Sequence, residues 1–214
     1  MSVFDLSVTD ALLSTTRAVR KRLDLERAVP DEIIRDCLEL SMQAPTGSNK
    51  QGWRWIVVTD AGKRESLAEI YRKGADTYLQ DGYQEAKAAG AAQDVRVYES
   101  ARYLSDRLEE VPVHVIPCIE MHADPADNPE LWWPSLMGSI LPAVWSFQLA
   151  LRARGLGSTL TTLHLNCAEE AAALLGIPDN IKQVGLLPVA YTKGTDFKPA
   201  KRRPLDEALH WNGW

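Results

Sequence analysis

Four basic side chains, Arg17, Arg20, Lys21 and Arg22, fall within six consecutive positions of the stretch STTRAVRKRLD. Such a cluster invites an anion, because guanidinium donors match phosphate or carboxylate oxygens two at a time. Arg17 and Arg20 are three residues apart, a spacing that puts them on one face of a helix end. A second basic group, Lys198, Lys201, Arg202 and Arg203, lies near the other end of the chain in KPAKRRP. Each group alone reads as solvated charge. Together they suit a single anion, provided the tail folds back over the start of the chain.

Two further stretches carry polar groups at close spacing. In APTGSNKQGW, Gly47 permits close backbone approach, while Thr46, Ser48, Asn49 and Gln51 supply short polar groups. Ordinary turn chemistry between a helix and a strand explains the same residues. In GLGSTLTTLH, Gly155 and Gly157 suit a tight helix exit, and Thr159, Thr161, Thr162 and His164 offer donors and acceptors. A half-buried threonine-rich strand explains these equally well. The chain has no HExxH, GxGxxG, GxxxxGK[ST] or GxSxG. A metal site, a dinucleotide fingerprint, a P-loop and a hydrolase nucleophile are therefore not expected.

The 214 residues carry 24 basic and 29 acidic side chains, a net charge of −5. A general nucleic-acid binder is basic or carries a long basic stripe, so a local anion site is the better reading. Three widely spaced cysteines without a CxxC argue for a reducing compartment. The N-terminus lacks a signal pattern and no apolar run is judged long enough to span a bilayer. These features suggest a soluble cytoplasmic protein of one domain, residues 1–214.

The elements that must position these groups follow from periodicity. A short helix is expected between Phe4 and Val19. A second helix begins at Pro30 and is stopped by Pro45, with Ile33, Ile34, Cys37 and Leu38 on one face. WRWIVVTD, PVHVIPCIEM and QVGLLPVAY read as strands, and STLTTLHL as a short one. Lys63–Tyr71 reads as helix. The polar stretch Ala75–Leu108 also reads as largely helical, but peripheral or lid-like. NPELWWPSLMGSI reads as a turn-rich aromatic segment, followed by an apolar helix from Ser139, its N-cap, to Arg154. AEEAAALL reads as a helix ended by Gly176. Helices between strands imply an α/β or α+β fold. The polar tail ends in tryptophans, which suggests that it packs on something, such as a partner subunit.

In this order, TTRAVRKR, VPDEII, APTGSNKQGWRWIVV, GSILPAVWSFQLALRARGLGSTLTTLH, LLGIPDN, LLPVAYTKG and KRRPLDE resemble the nitroreductase family of FMN-dependent oxidoreductases, and within it an actinobacterial branch beginning TTRxxR. The resemblance implies an α+β fold with a central, mainly antiparallel sheet flanked by helices. It also implies an intertwined homodimer in which the tail, about residues 195–214, wraps the partner. By motif, Arg17, Ala18, Arg20 and Lys21 would sit at the FMN phosphate, with Lys201, Arg202 and Arg203 as a second clamp. Pro45, Thr46, Gly47 and Asn49 would line the flavin from the partner subunit. Thr161, Thr162, Leu163 and His164 would approach its pyrimidine edge. NAD(P)H would reduce the flavin, and a nitroaromatic, quinone or similar small acceptor would reoxidise it in a ping-pong cycle. The alternative is an FMN-binding or storage protein with little turnover, its flavin covered by the Ala75–Leu108 stretch. No nucleic-acid or membrane partner is expected. Tyr71, Tyr78, Tyr83, Tyr98, Tyr103, Trp132 and Trp133 are candidates to roof a substrate site, with ordinary packing the weightier reading for most.

Overall fold

The computed structural model describes residues 3–121 and 128–214. Two helices open the chain. Helix α1 (Leu6–Thr15) is capped by Asp5, whose carboxylate accepts from the Ser7 and Val8 amides. Helix α2 (Asp31–Ser41) follows Pro30 and carries Asp31 and Glu32 in its first turn, where the dipole favours acids. Strand β1 (Trp53–Val58) leads into α3 (Ala61–Ala88), capped by Asp60, and α4 (Ala92–Asp106) follows. Then come β2 (Val113–Glu120), α5 (Pro129–Ala153), β3 (Leu156–Ser158), α6 (Ala168–Leu175), β4 (Ile181–Gln183) and β5 (Leu187–Tyr191).

The sheet runs β1-β2-β5-β3, with β4 pairing on β2. Every ladder among these strands is antiparallel. Alternation along β2 divides the core. Val113, Val115 and Ile119 face the cluster that includes Ile34 and Cys37 of α2 and Ile140, Val144 and Phe147 of α5. Ile116 and Cys118 face Leu67, Tyr71 and Leu79 of α3 and Leu104 of α4. Both faces of β2 are covered, which is why its sequence is an unbroken apolar run rather than an alternating one.

Four elements differ from the sequence expectation. The stretch from Lys63 through Ala88 is one continuous helix, and its second half is core rather than periphery. Leu67, Tyr71, Ala75, Leu79, Gly82 and Ala86 are buried at spacings of three and four. From Tyr71 on, that stripe is one residue wide and rich in small side chains, so the polar majority around it hides it from composition.

The aromatic segment from Asn128 is the first half of α5, not a turn. Asn128 caps it by accepting from the Leu131 amide, and Pro129 fills the first turn, where no amide is needed. Ser139 is therefore mid-helix rather than an N-cap. By length and composition α5 is apolar enough to cross a bilayer, contrary to the sequence expectation. Its Ile140, Ala143, Val144, Phe147 and Leu151 are buried.

The strand after α5 ends at Ser158, and Leu163–Cys167 is a 3-10 helix. The expected strand QVGLLPVAY is split into β4 and β5 around Val184–Leu186.

Candidate functional site

The opening basic stretch is strapped along the sheet. The Val19 amide donates to Ser158 O at 2.9 Å, the Asp24 amide to Tyr191 O at 2.8 Å and the Lys193 amide to Arg22 O at 2.8 Å. Val19 and Leu23 are buried on the sheet side. Gly157 makes this possible: a Cβ there would stand 2.7 Å from Thr192 Cγ2 and 3.0 Å from Val19 Cβ. Gly155, at φ +76°, is the helix exit, whereas Gly157 admits the strap.

The strap presents Arg20 to a cavity of about 770 Å³. Leu160, Thr161, Thr162 and Leu163 line it near Arg20 and Tyr71. The α3 and α4 residues around the rest include Tyr78, Gly82, Val97, Tyr98 and Ala101. Thr161 is held from two sides. It exchanges backbone hydrogen bonds with Leu186 at 2.8 and 3.0 Å, and its hydroxyl lies 3.1 Å from the Tyr71 hydroxyl. Gly74 lets α3 approach this segment, since a Cβ there would meet Leu163 O at 2.4 Å.

Arg20 is half-buried; its carbonyl accepts from the Leu23 amide at 3.1 Å, and its guanidinium has no hydrogen bond or ion pair among the described residues. Burial pulls its pKa down, opposed by Tyr71. A desolvated guanidinium without an ion-pair partner, turned to a cavity whose lining also includes Glu85 and Asp94, calls for an anion from outside the chain. Burial in turn raises the Tyr71 pKa, opposed by the Thr161 hydrogen bond and by Arg20, so its hydroxyl is neutral at pH 7.

Residues 13–191 match the sequence profile of the Nitroreductase family. The chain belongs to the nitroreductase family. Members of this family are flavin-dependent oxidoreductases. Rat iodotyrosine deiodinase 1 is 26% identical over 199 residues, covering 92% of this chain and 67% of the relative. The chain thus spans about two thirds of the length of the curated relatives it matches. Among solved structures, an FMN-dependent nitroreductase from Mycobacterium smegmatis in complex with NADPH superposes with a TM-score of 0.70. It is 21% identical and covers 98% of this chain and 100% of that one. Oxidized iodotyrosine deiodinase bound to FMN and 3-iodo-L-tyrosine superposes at 0.66, with 23% identity and 91% and 94% coverage. The nitroreductase fold implied by the motifs is therefore the fold of this chain.

This nitroreductase-family chain brings only some of the motif residues together. Arg20, Thr161, Thr162 and Leu163 share the cavity. Arg17 is exposed and donates to Lys198 O at 3.1 Å, so the two basic stretches do meet. Ala18 bridges Ser158 in the strap, and Lys21 is exposed. Lys201, Arg202 and Arg203 are exposed and have no hydrogen bond or ion pair among the described residues. His164 is fully buried and outside the cavity lining, and its ring nitrogens have no hydrogen bond of normal geometry among the described residues, although the Gln183 side chain faces the ring. Burial pushes its imidazole down to about 4. The turn into the 3-10 helix swings it away from Leu163 and into the interior.

The loop bearing Pro45, Thr46, Gly47 and Asn49 does not line the cavity of its own chain. Ser48, Asn49 and Gln51 all have φ near +50°, an unfavourable region for non-glycine residues. The loop is held in this shape by several bonds. The Gln51 amide donates to Thr46 Oγ1 at 3.0 Å, and the Gly47 amide to Ser139 Oγ at 3.1 Å. Trp53 Nε1 donates to Ser139 O at 3.0 Å.

Arg22 anchors the tail. It pairs with Asp196 at 2.6 Å and donates to Lys193 O at 2.9 Å. Phe197 lies under two guanidinium groups, with Arg22 and Arg152 at 4.2 and 4.8 Å from its ring centroid. Of the aromatic candidates, Tyr71, Tyr78 and Tyr98 line the cavity and Tyr83, Tyr103, Trp132 and Trp133 do not. Gly82 and Leu160 escaped the sequence reading, since neither carries a chemical group that marks it.

Proposed function

We propose that this chain is an FMN-dependent NAD(P)H oxidoreductase that passes electrons to a nitroaromatic, quinone or similar flat acceptor in a ping-pong cycle. The observation that carries this reading is the unpaired, half-buried Arg20 at a cavity it shares with Thr161, Thr162 and Leu163. The residues fit FMN: Arg20 would hold the phosphate or the ribityl end, and Thr161–Leu163 would face the ring system with their backbone and hydroxyl groups. Bound FMN would supply the centre that accepts a hydride from NAD(P)H and releases electrons to the acceptor. Tyr71 holds Thr161 in place and stays neutral, and Leu160 and Leu163 add apolar surface beside it. No nucleophile is required of the protein.

A second copy completes the site in this reading. Leu131, Leu141 and Trp145 of α5 and Leu6 and Leu13 of α1 are exposed, as are Leu205, Trp211 and Trp214 of the tail. Burying them in a homodimer removes an apolar surface that a monomer would leave wet. The partner's strained Thr46–Gln51 loop would then close the cavity. Lys201–Arg203 would add their charge from the tail.

The open cavity favours turnover over storage, because α3 and α4 wall it without filling it. The similarity to iodotyrosine deiodinases adds reductive dehalogenation of an aromatic ring as a second reaction for the same site. The experiment is an absorbance spectrum of protein purified with FMN, followed by anaerobic mixing with NADH or NADPH. Bleaching of the flavin band, reversed by menadione, is the expected result. A protein that takes up no FMN overturns the assignment. One that binds FMN but is reduced by neither nucleotide is a storage protein.

A further inference from the structure

Gly82 sits inside α3, where glycine weakens a helix relative to alanine. Its backbone is not in the left-handed region, so no turn requires it. The reason lies in α4. A Cβ on Gly82 would stand 2.3 Å from Tyr98 Cζ, 2.4 Å from Cε1 and 2.5 Å from the hydroxyl oxygen. The Tyr98 ring occupies the place of that missing methyl. Tyr78, one turn earlier in α3, meets Tyr98 with ring centroids 6.0 Å apart and planes at 59°. All three residues line the cavity that holds Arg20.

We propose that Tyr98, seated on Gly82 and paired with Tyr78, is the specificity wall that sets how large a flat aromatic molecule the cavity admits. The proposal rests on the reading of this cavity as a redox site and names what it selects. Flat rings pack well against tyrosine faces and edges. The depth left for them depends on whether the Tyr98 ring lies back on α3 or stands forward. A methyl at position 82 removes the seat and pushes the ring into the cavity. Removing the ring opens the wall.

The test uses the holoprotein and two acceptors that differ in ring number, 1,4-benzoquinone and anthraquinone-2-sulfonate. The readout is the ratio of their kcat/KM values with NAD(P)H. Calorimetric Kd values for benzoate and anthracene-2-carboxylate report on the same wall without turnover. Tyr98→Ala is expected to raise the large-to-small ratio, and Gly82→Ala to lower it, each by about tenfold. In the double variant the alanine at 82 has no ring to push, so the ratio matches that of Tyr98→Ala alone. If Gly82→Ala does not fold, recovery of the fold in the double variant supports the clash. A ratio that Tyr98→Ala leaves unmoved overturns the proposal. So does a Gly82→Ala effect that persists without the ring. Absence of turnover with both quinones, while the carboxylate affinities still shift as expected, refutes the redox reading and leaves the wall standing.

Discussion

The hydroxyl groups of Tyr71 and Thr161 lie 3.1 Å apart, joining α3 to the segment that bounds the cavity beside Arg20. Tyr71 is almost wholly buried, so its hydroxyl has little access to water. Tyr71→Phe keeps the ring and deletes the bond. The expected cost is about 0.5–1.5 kcal/mol of stability, read by urea denaturation of the apoprotein. A variant as stable as the parent would show that the bond positions Thr161 without stabilising the fold.

Arg20→Ala separates binding from folding. The guanidinium is desolvated and has no partner among the described residues, so its removal is expected to leave apoprotein stability unchanged or higher. FMN affinity is expected to fall by about 1.5–3 kcal/mol, the range for a hydrogen bond to a charged group. Fluorescence titration of apoprotein with FMN measures this. An unchanged Kd would remove Arg20 from the cofactor site.

Phe197→Ala tests the root of the tail. The ring contacts both the Arg22 and the Arg152 guanidinium, an arrangement worth roughly 0.5–2 kcal/mol for each cation–π contact. Its loss is expected to free residues 193–214, seen as faster limited proteolysis there. A cleavage rate equal to the parent's would show that the Arg22–Asp196 pair holds the tail without the ring.

Acid sensitivity has a definite sign. Burial depresses both His114 and His164 to about 4 from the ordinary 6.5. The Leu108 carbonyl accepting at 2.8 Å, together with Arg64 and Glu109 nearby, only modifies the effect on His114. Between those values the unfolded chain binds protons that the folded one does not. The stability tied to these histidines is therefore complete above pH 6.5 and is lost as pH falls from 6.5 towards 4. The slope is about 1.4 kcal/mol per pH unit for each histidine within that window. Urea melts at half-unit steps check it, and His114→Gln is expected to flatten the slope.

Much of the fold is legible in one dimension. Asp5 and Asp60 cap helices where local chemistry says they will, and Gly155 and Gly176 end helices with positive φ. The apolar run of β2 announces a strand covered on both faces. The order of the motifs was enough to identify the family, because each motif reports a local backbone need and local needs survive in sequence. Tertiary structure decided which members of each motif face the cavity. Arg20 does, while Lys21 beside it is exposed; Leu163 does, while His164 beside it is buried. Neighbours one residue apart differ in direction because the strap on Ser158 and Tyr191 and the bridge from Thr161 to Leu186 set the backbone's rotation. Those bonds join residues far apart in the chain. The same holds for Gly82 and Gly157, whose missing side chains have meaning only once Tyr98 and Val19 have arrived beside them.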